Sequence, residues 1–213
     1  MDRSIENIWK EGFMKDNALV APKLNNLYNQ KSKHIVDKLK RMFEVNLISI
    51  VVGALLILVV SIFLEAFLAG AALCLQLLLL VFLGKKELND LNQIDKGASS
   101  YDYLKAFDSW IKKVISTYTK VYRVLYPGMF LTFVIGFWFS SVAGPMREAF
   151  MMRFPDSGML LGMPVPGVIG ALVFAGLLAL FAGKLYQLDM NIVYGREFNK
   201  LDDIIADMET LRA

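Results

Sequence analysis

One histidine and one cysteine carry all the imidazole and thiol chemistry in this chain, and they stand 40 positions apart. His34 lies in a lysine-rich stretch with no second soft ligand beside it, so it reads as a solvated helix residue. Cys74 lies in an apolar stretch, and a lone cysteine excludes an intramolecular disulfide while saying nothing about redox compartment. There is no Cys/His spacing for zinc, no G-x-x-x-x-G-K-[ST] phosphate loop and no G-x-S-x-G nucleophile turn. No catalytic, metal or cofactor residue is assigned. One other group could do chemistry: Met146, Met151, Met152, Met159 and Met163. Thioethers are soft ligands for Cu(I). Phe150, Phe154, Leu160 and Leu161 are interleaved with them, however, which favours a membrane-hugging or partner-contacting loop.

What positions these residues is a pattern of long apolar runs. Leu47 to Gly84 contains a single charge, Glu65. A bilayer core about 30 Å thick takes roughly 20 helical residues to cross, so this run suits two spans joined by a tight hairpin at Glu65. Val124–Met146 and Ser157–Gly183 are uncharged runs apart from Arg147 to Asp156 between them. The expected fold is all-α and polytopic, with four transmembrane helices, because backbone in lipid must bond internally. With 56% apolar residues and 20% charged ones, the charge must gather outside the bilayer. The chain divides accordingly. Residues 1–46 form N-terminal helices, 47–84 the first two spans and 85–126 a helical segment. Residues 127–183 form spans three and four with a short Met-rich loop, and 184–213 a C-terminal helix. Of the 23 Lys and Arg, 21 fall on the side of both termini and only Arg147 and Arg153 on the other. The positive-inside rule then puts the termini and the amphipathic helices in the cytoplasm. No signal peptide precedes the first run.

Within the spans the polar side chains of note are Ser49, Ser61, Gln76, Thr132, Ser140 and Ser141. Intramembrane charges mark ion and substrate routes, and the spans carry none beyond Glu65 at an interface, which disfavours a transporter or channel. Gln76 suits an interhelical hydrogen bond. Small residues recur every four positions: Gly136, Ser140 and Gly144, then Gly167, Ala171, Ala175, Ala179 and Gly183. These ridges are expected to let helices approach closely, most simply each other, with a dimer seam as the alternative.

Outside the spans, Ile5, Ile8, Trp9 and Phe13 sit at helical spacing on a short amphipathic segment. Pro22 is placed to open a second helix from Lys23 that runs on into the first span. Its Lys31, Lys33, Lys38, Lys40 and Arg41 suit topology signalling and anionic headgroups. Direct nucleic-acid binding gains little support, because acids dilute the lysines. Ser99 and Asp102 are spaced as a capping box. After them Leu104, Phe107, Ile111, Val114, Tyr118, Val121 and Leu125 form a heptad seam, expected to end where Pro127 breaks the helix. That seam suits packing on the chain's own helices, with a homodimer or a partner groove as alternatives. In the acidic tail, Phe198, Leu201, Ile205 and Met208 form an apolar stripe, suited to the 85–126 helix or to a partner protein.

Ile8-Trp9-Lys10-Glu11-Gly12, Ala21-Pro22-Lys23-Leu24, Leu27-Tyr28-Asn29-Gln30-Lys31-Ser32 and Tyr194-Gly195 resemble short motifs of uncharacterised four-span bacterial inner-membrane proteins. The genes of those proteins often adjoin one for an extracytoplasmic-function sigma factor. The resemblance implies a multi-pass inner-membrane regulator, anti-sigma-like, that holds a sigma factor through cytoplasmic helices. Anti-sigma proteins often carry a His-x-x-x-Cys-x-x-Cys zinc signature; this chain lacks it, so capture would be zinc-free. The reading is a non-enzymatic regulator without cofactor, with Ile5, Ile8, Trp9, Phe13 and Tyr28 as partner-binding anchors. An accessory subunit of a larger membrane complex is the second reading, and a small transporter or channel the third. Cysteines introduced at Ser4, Ser99 and Thr210 should resist an impermeant thiol reagent in intact cells, while one at Ser157 reacts. Labelling at Ser99 from outside would overturn the four-span topology.

Overall fold

The computed structural model describes residues 20–94 and 99–210, with side chains from 29 onward in that range. Among these residues it is all-helical apart from one minimal hairpin. The elements are α1 (Val20–Phe63), α2 (Phe67–Asn92), α3 (Ser100–Phe139), α4 (Gly144–Arg153), β1 (Met159–Leu160), β2 (Met163–Pro164) and α5 (Val165–Thr210). Four of the helices, α1, α2, α3 and α5, are long and apolar enough to cross a membrane.

α1 is helical from the first described residue, Val20, so Pro22 lies within the helix rather than ahead of it. It then runs unbroken to Phe63. The reversal into α2 is a Schellman motif centred on Glu65. The Ala66 amide donates to the Ser61 carbonyl at 2.9 Å and the Glu65 amide to that of Ile62 at 3.2 Å. Glu65 takes the left-handed backbone, φ 53°, that glycine adopts at less cost. The strain is held in place by close packing immediately below the turn. A Cβ built on Gly70 would lie 1.9 Å from Ser61 Oγ, so here α1 and α2 touch backbone to side chain.

α3 starts where Ser99 caps it, its Oγ accepting from the Asp102 amide at 3.2 Å. The expected break at Pro127 does not occur. The helix continues to Phe139, because proline removes one amide donor without forcing an end where neighbouring helices hold the backbone. Only 16 residues, Val124 to Phe139, separate the last charge of α3 from its end, roughly 24 Å of helix. The charge-free helical stretches of the other spans, 45–63, 67–84 and 165–183, are two or three residues longer. The Met-rich segment is folded rather than a loop. α4 follows α3 at once, and β1 pairs antiparallel with β2 through Leu161 and Gly162, both at positive φ as in a type I′ turn. Trp138 ties this cap down. Its indole Nε1 donates to the Gly162 carbonyl at 2.9 Å, Phe150 meets its ring edge-on, and Arg147 donates to its carbonyl at 2.5 Å.

The small-residue ridges do not face each other along their lengths. Gly136 meets α2 instead: its added Cβ would sit 2.1 Å from that of Ala69. On α5, Ala175 and Ala182 are buried, Ala171 and Ala179 partly, and Gly167 is exposed. A four-residue repeat advances about 40° per step around a 3.6-residue helix, so a ridge from Gly167 to Gly183 winds off the contact face. Gly183 meets α3 at Thr119, 3.1 Å from an added Cβ. Gly144 is the first residue of α4 and Ser140 is the buried C-cap of α3.

Gly136→Ala should therefore lower the melting temperature in detergent, by an overpacking cost of about 1–3 kcal/mol. Gly170→Ala meets nothing within 4 Å and should leave stability unchanged or raise it, since alanine is the better helix former. Equal losses from both would show that the α2–α3 crossing is not close.

Candidate functional site: the helical head

The charged lengths of the four long helices continue past their apolar lengths and pack on one another as a helical head. Ile35, Val36 and Leu39 of α1, Leu91 of α2, Leu104, Phe107 and Ile111 of α3, and Tyr194, Leu201 and Ile205 of α5 form its buried core. Phe107 is fully enclosed, and Trp110 stacks on it at 5.6 Å while Phe43 meets Trp110 edge-on at 6.3 Å. The indole Nε1 of Trp110 donates to the Glu87 carbonyl of α2 at 3.2 Å, joining the first hairpin to α3.

The heptad seam is used here. Leu104, Phe107, Ile111, Val114 and Tyr118 are buried against α1, α2 and α5, while Val121 and Leu125 are partly buried beside Tyr186. The acidic tail helix is the continuation of α5. Its stripe, Phe198, Leu201, Ile205 and Met208, packs into the same core. Glu209 then reaches Lys105 at 2.7 Å and accepts from Tyr101 at 3.0 Å, so acidic α5 is paired with basic α3. The Lys105 and then the Tyr101 hydrogen bonds hold the Glu209 carboxyl below its ordinary value, and Glu209 raises the Lys105 ammonium above its own.

Sequence inspection missed the head's central polar group. Glu197 is 5% exposed, and its Oε1 is held by Lys38 of α1 at 2.9 Å and Lys200 at 3.1 Å. Lys38's hydrogen bond lowers the Glu197 carboxyl from the ordinary glutamate value despite the opposing effect of burial, with Lys200 adding to it. A single signal was available: residue 197 is in helical register with Tyr194, Leu201 and Ile205, so a charged residue lies on the apolar stripe. Ser32, fully buried, has no hydrogen-bond partner among the described residues.

Chemically the head offers little to a small molecule. The void beneath Trp110 and Met190 is ≈ 30 Å³ and almost wholly apolar in its lining, room for about one water. Among the described residues no three His, Cys, Asp or Glu side chains gather for a metal, and His34 is exposed. In the spans, the Gln76 amide donates to Thr132 Oγ1 at 2.9 Å, an interhelical bond between α2 and α3. Of the methionines in the cap that Trp138 ties down, Met163 is buried and Met146, Met151, Met152 and Met159 are exposed. Ile5, Ile8, Trp9 and Phe13 lie outside the described residues, as does the side chain of Tyr28. No family model matches this chain, and comparison with curated proteins and with solved structures returns no match.

The lowered carboxylates set a pH dependence with a definite sign. Glu197 and Glu209 stabilise the fold above the ordinary glutamate value of 4.5, and that stability is lost as pH falls through their lower folded values. Melting temperatures of detergent-solubilised protein should therefore drop on acidification below about pH 4.5. Glu197→Gln should start lower and flatten the drop. A variant with the wild-type slope would show that Lys38 and Lys200 do not hold this carboxylate.

Proposed function

We propose that this chain is a non-enzymatic regulator of the bacterial cytoplasmic membrane that holds a cytoplasmic protein, a sigma factor by the resemblance of its motifs, through helices on the side of its termini. In this reading the positive-inside bias orients the helical head toward the cytoplasm. The observation that carries the proposal is that the head is already complete. Its heptad seam and its tail stripe are both packed against the chain's own helices, and the void beneath Trp110 and Met190 has room for about a single water. Recognition then falls to the segment ahead of α1, where Ile5, Ile8, Trp9 and Phe13 recur at helical spacing, with Tyr28 as a second anchor. Aromatic anchors filling a desolvated groove dominate such interfaces.

A second reading, an accessory subunit of a larger membrane complex, draws on the spans themselves. Gly53, Gly170 and Gly176 have open space where a side chain would be, as a helix from another protein would require for close approach. A conducting pathway draws less support, because the one intramembrane amide is committed to Thr132.

Trp9→Ala should abolish co-purification of the cytoplasmic partner from native membranes, a loss of about 2 kcal/mol or more, roughly thirtyfold in affinity. The melting temperature of the purified protein should not move. A destabilised variant that still binds would overturn capture through this segment, and partners found only among membrane proteins would favour the second reading.

A further inference from the structure

Where the third and fourth spans emerge, α3 and α5 leave a cleft of ≈ 440 Å³ between them. Lys112, Ser116, Lys120 and Arg123 line it from α3 and Gln187 from α5, with Ile115 as its apolar wall. The four α3 residues are spaced by four, four and three, which gathers them on one face of that helix. Lys112 is held by Asp108 at 2.6 Å. Lys120 and Arg123 have no acidic partner among the described residues, and the Ser116 hydroxyl and the Gln187 amide make no hydrogen bond there. The cleft therefore presents two uncompensated cations with neutral donors beside them, the donor set that a phosphate group takes.

Its depth in the bilayer is fixed by helix length. Arg123 is only 16 residues, roughly 24 Å, from the end of α3, and a hydrocarbon core is about 30 Å thick. Arg123 cannot rise far above the headgroups without drawing the other end of the helix into the hydrocarbon. Around this level the rings of Tyr118, Tyr122, Tyr126 and Tyr186 pack on one another, 4.7 to 6.2 Å between centroids, the two pairs with Tyr186 stacked and the other two tilted, and aromatic side chains mark membrane interfaces. Immediately below, Val124 and Leu180 are three-quarters exposed, an apolar wall along which acyl chains can lie. We infer that this cleft binds a phosphate, supplied by the headgroup of an anionic phospholipid in the leaflet that the head adjoins. The inference does not depend on the regulatory reading above.

The test uses the full chain in mild detergent, titrated with phosphatidylglycerol, with phosphatidylcholine and with inorganic phosphate, bound lipid being counted by native mass spectrometry. Phosphatidylglycerol should bind in preference to phosphatidylcholine. The Lys120→Gln/Arg123→Gln variant should bind it about thirtyfold more weakly, at an unchanged melting temperature. The Lys85→Gln/Lys86→Gln variant removes the same charge from exposed positions on α2 and should bind as the parent does. Inorganic phosphate that binds alone and is lost in the first variant would keep the phosphate site and assign it to a soluble anion. Equal weakening in both variants would show attraction by overall charge, and no preference for the anionic lipid in the parent would show no site. Either result overturns the proposal.

Discussion

Backbone that crosses hydrocarbon has only itself to bond to, and the architecture follows from that constraint. A helix cannot be interrupted inside the bilayer without leaving amides and carbonyls unpaired. The chain extends the solution further, and the helices do not stop at the interface. α1, α3 and α5 run for 44, 40 and 46 residues, so each serves as membrane span and as part of the head. Because these rods share axes above and below the interface, packing in the head and packing in the bilayer are one arrangement. Charges make the division between them. Apolar contact alone cannot choose a partner in lipid, where every neighbour is equally greasy, so close approach is left to Gly70, Gly136 and the Gln76–Thr132 bond. In the head water restores the hydrophobic drive, and large side chains such as Phe107 and Trp110 take over.

Buried charge in the head follows the same logic. Glu197 is tolerable because Lys38 and Lys200 meet it, and Lys38 comes from α1, across the head from α5. The lysine ammonium groups remain half in water, with their stems over the core, so both meet Oε1 without two cations being enclosed, while Oε2 is buried without a hydrogen-bond partner among the described residues. The Lys105–Glu209 pair at the far end of α5 is exposed on both sides and contributes register more than stability.

Much of this was legible in the residues, and the illegible parts share a cause. The number of apolar runs, the turn at Glu65, the cap at Ser99 and the buried side of α3 are local or periodic features, and periodicity survives into the structure because a helix converts spacing into direction. Pro127 misled, since proline's cost depends on what else holds the carbonyl it frees. The ridge from Gly167 to Gly183 misled for a geometric reason: spacing of four matches a helix face only for two or three steps. The α2 partner of Gly136 and the α1 partner of Glu197, Lys38, were beyond reach, because nothing in a neighbouring stretch encodes which helix arrives. The hairpin at Leu161–Gly162 lacked the usual Asn-Gly or Asp-Gly signal, with a leucine at a position where φ is positive.

The Schellman turn at Glu65 bears on how the protein is made. Three residues, Leu64 to Ala66, separate the helical ends of the first two spans, and Ser61 already lies against Gly70 just beneath them. There is no slack in which the first span could settle in the bilayer while the second waits outside. In the orientation of the proposed reading the pair would enter the membrane together as a hairpin, its leading tip carrying a carboxylate across. At the bilayer centre an acidic side chain costs about 2.5–3.5 kcal/mol, while two spans rich in Leu, Ile, Val and Phe return about 0.3–0.6 kcal/mol for each such residue. The toll of one glutamate is therefore small against the gain of two helices delivered in one step.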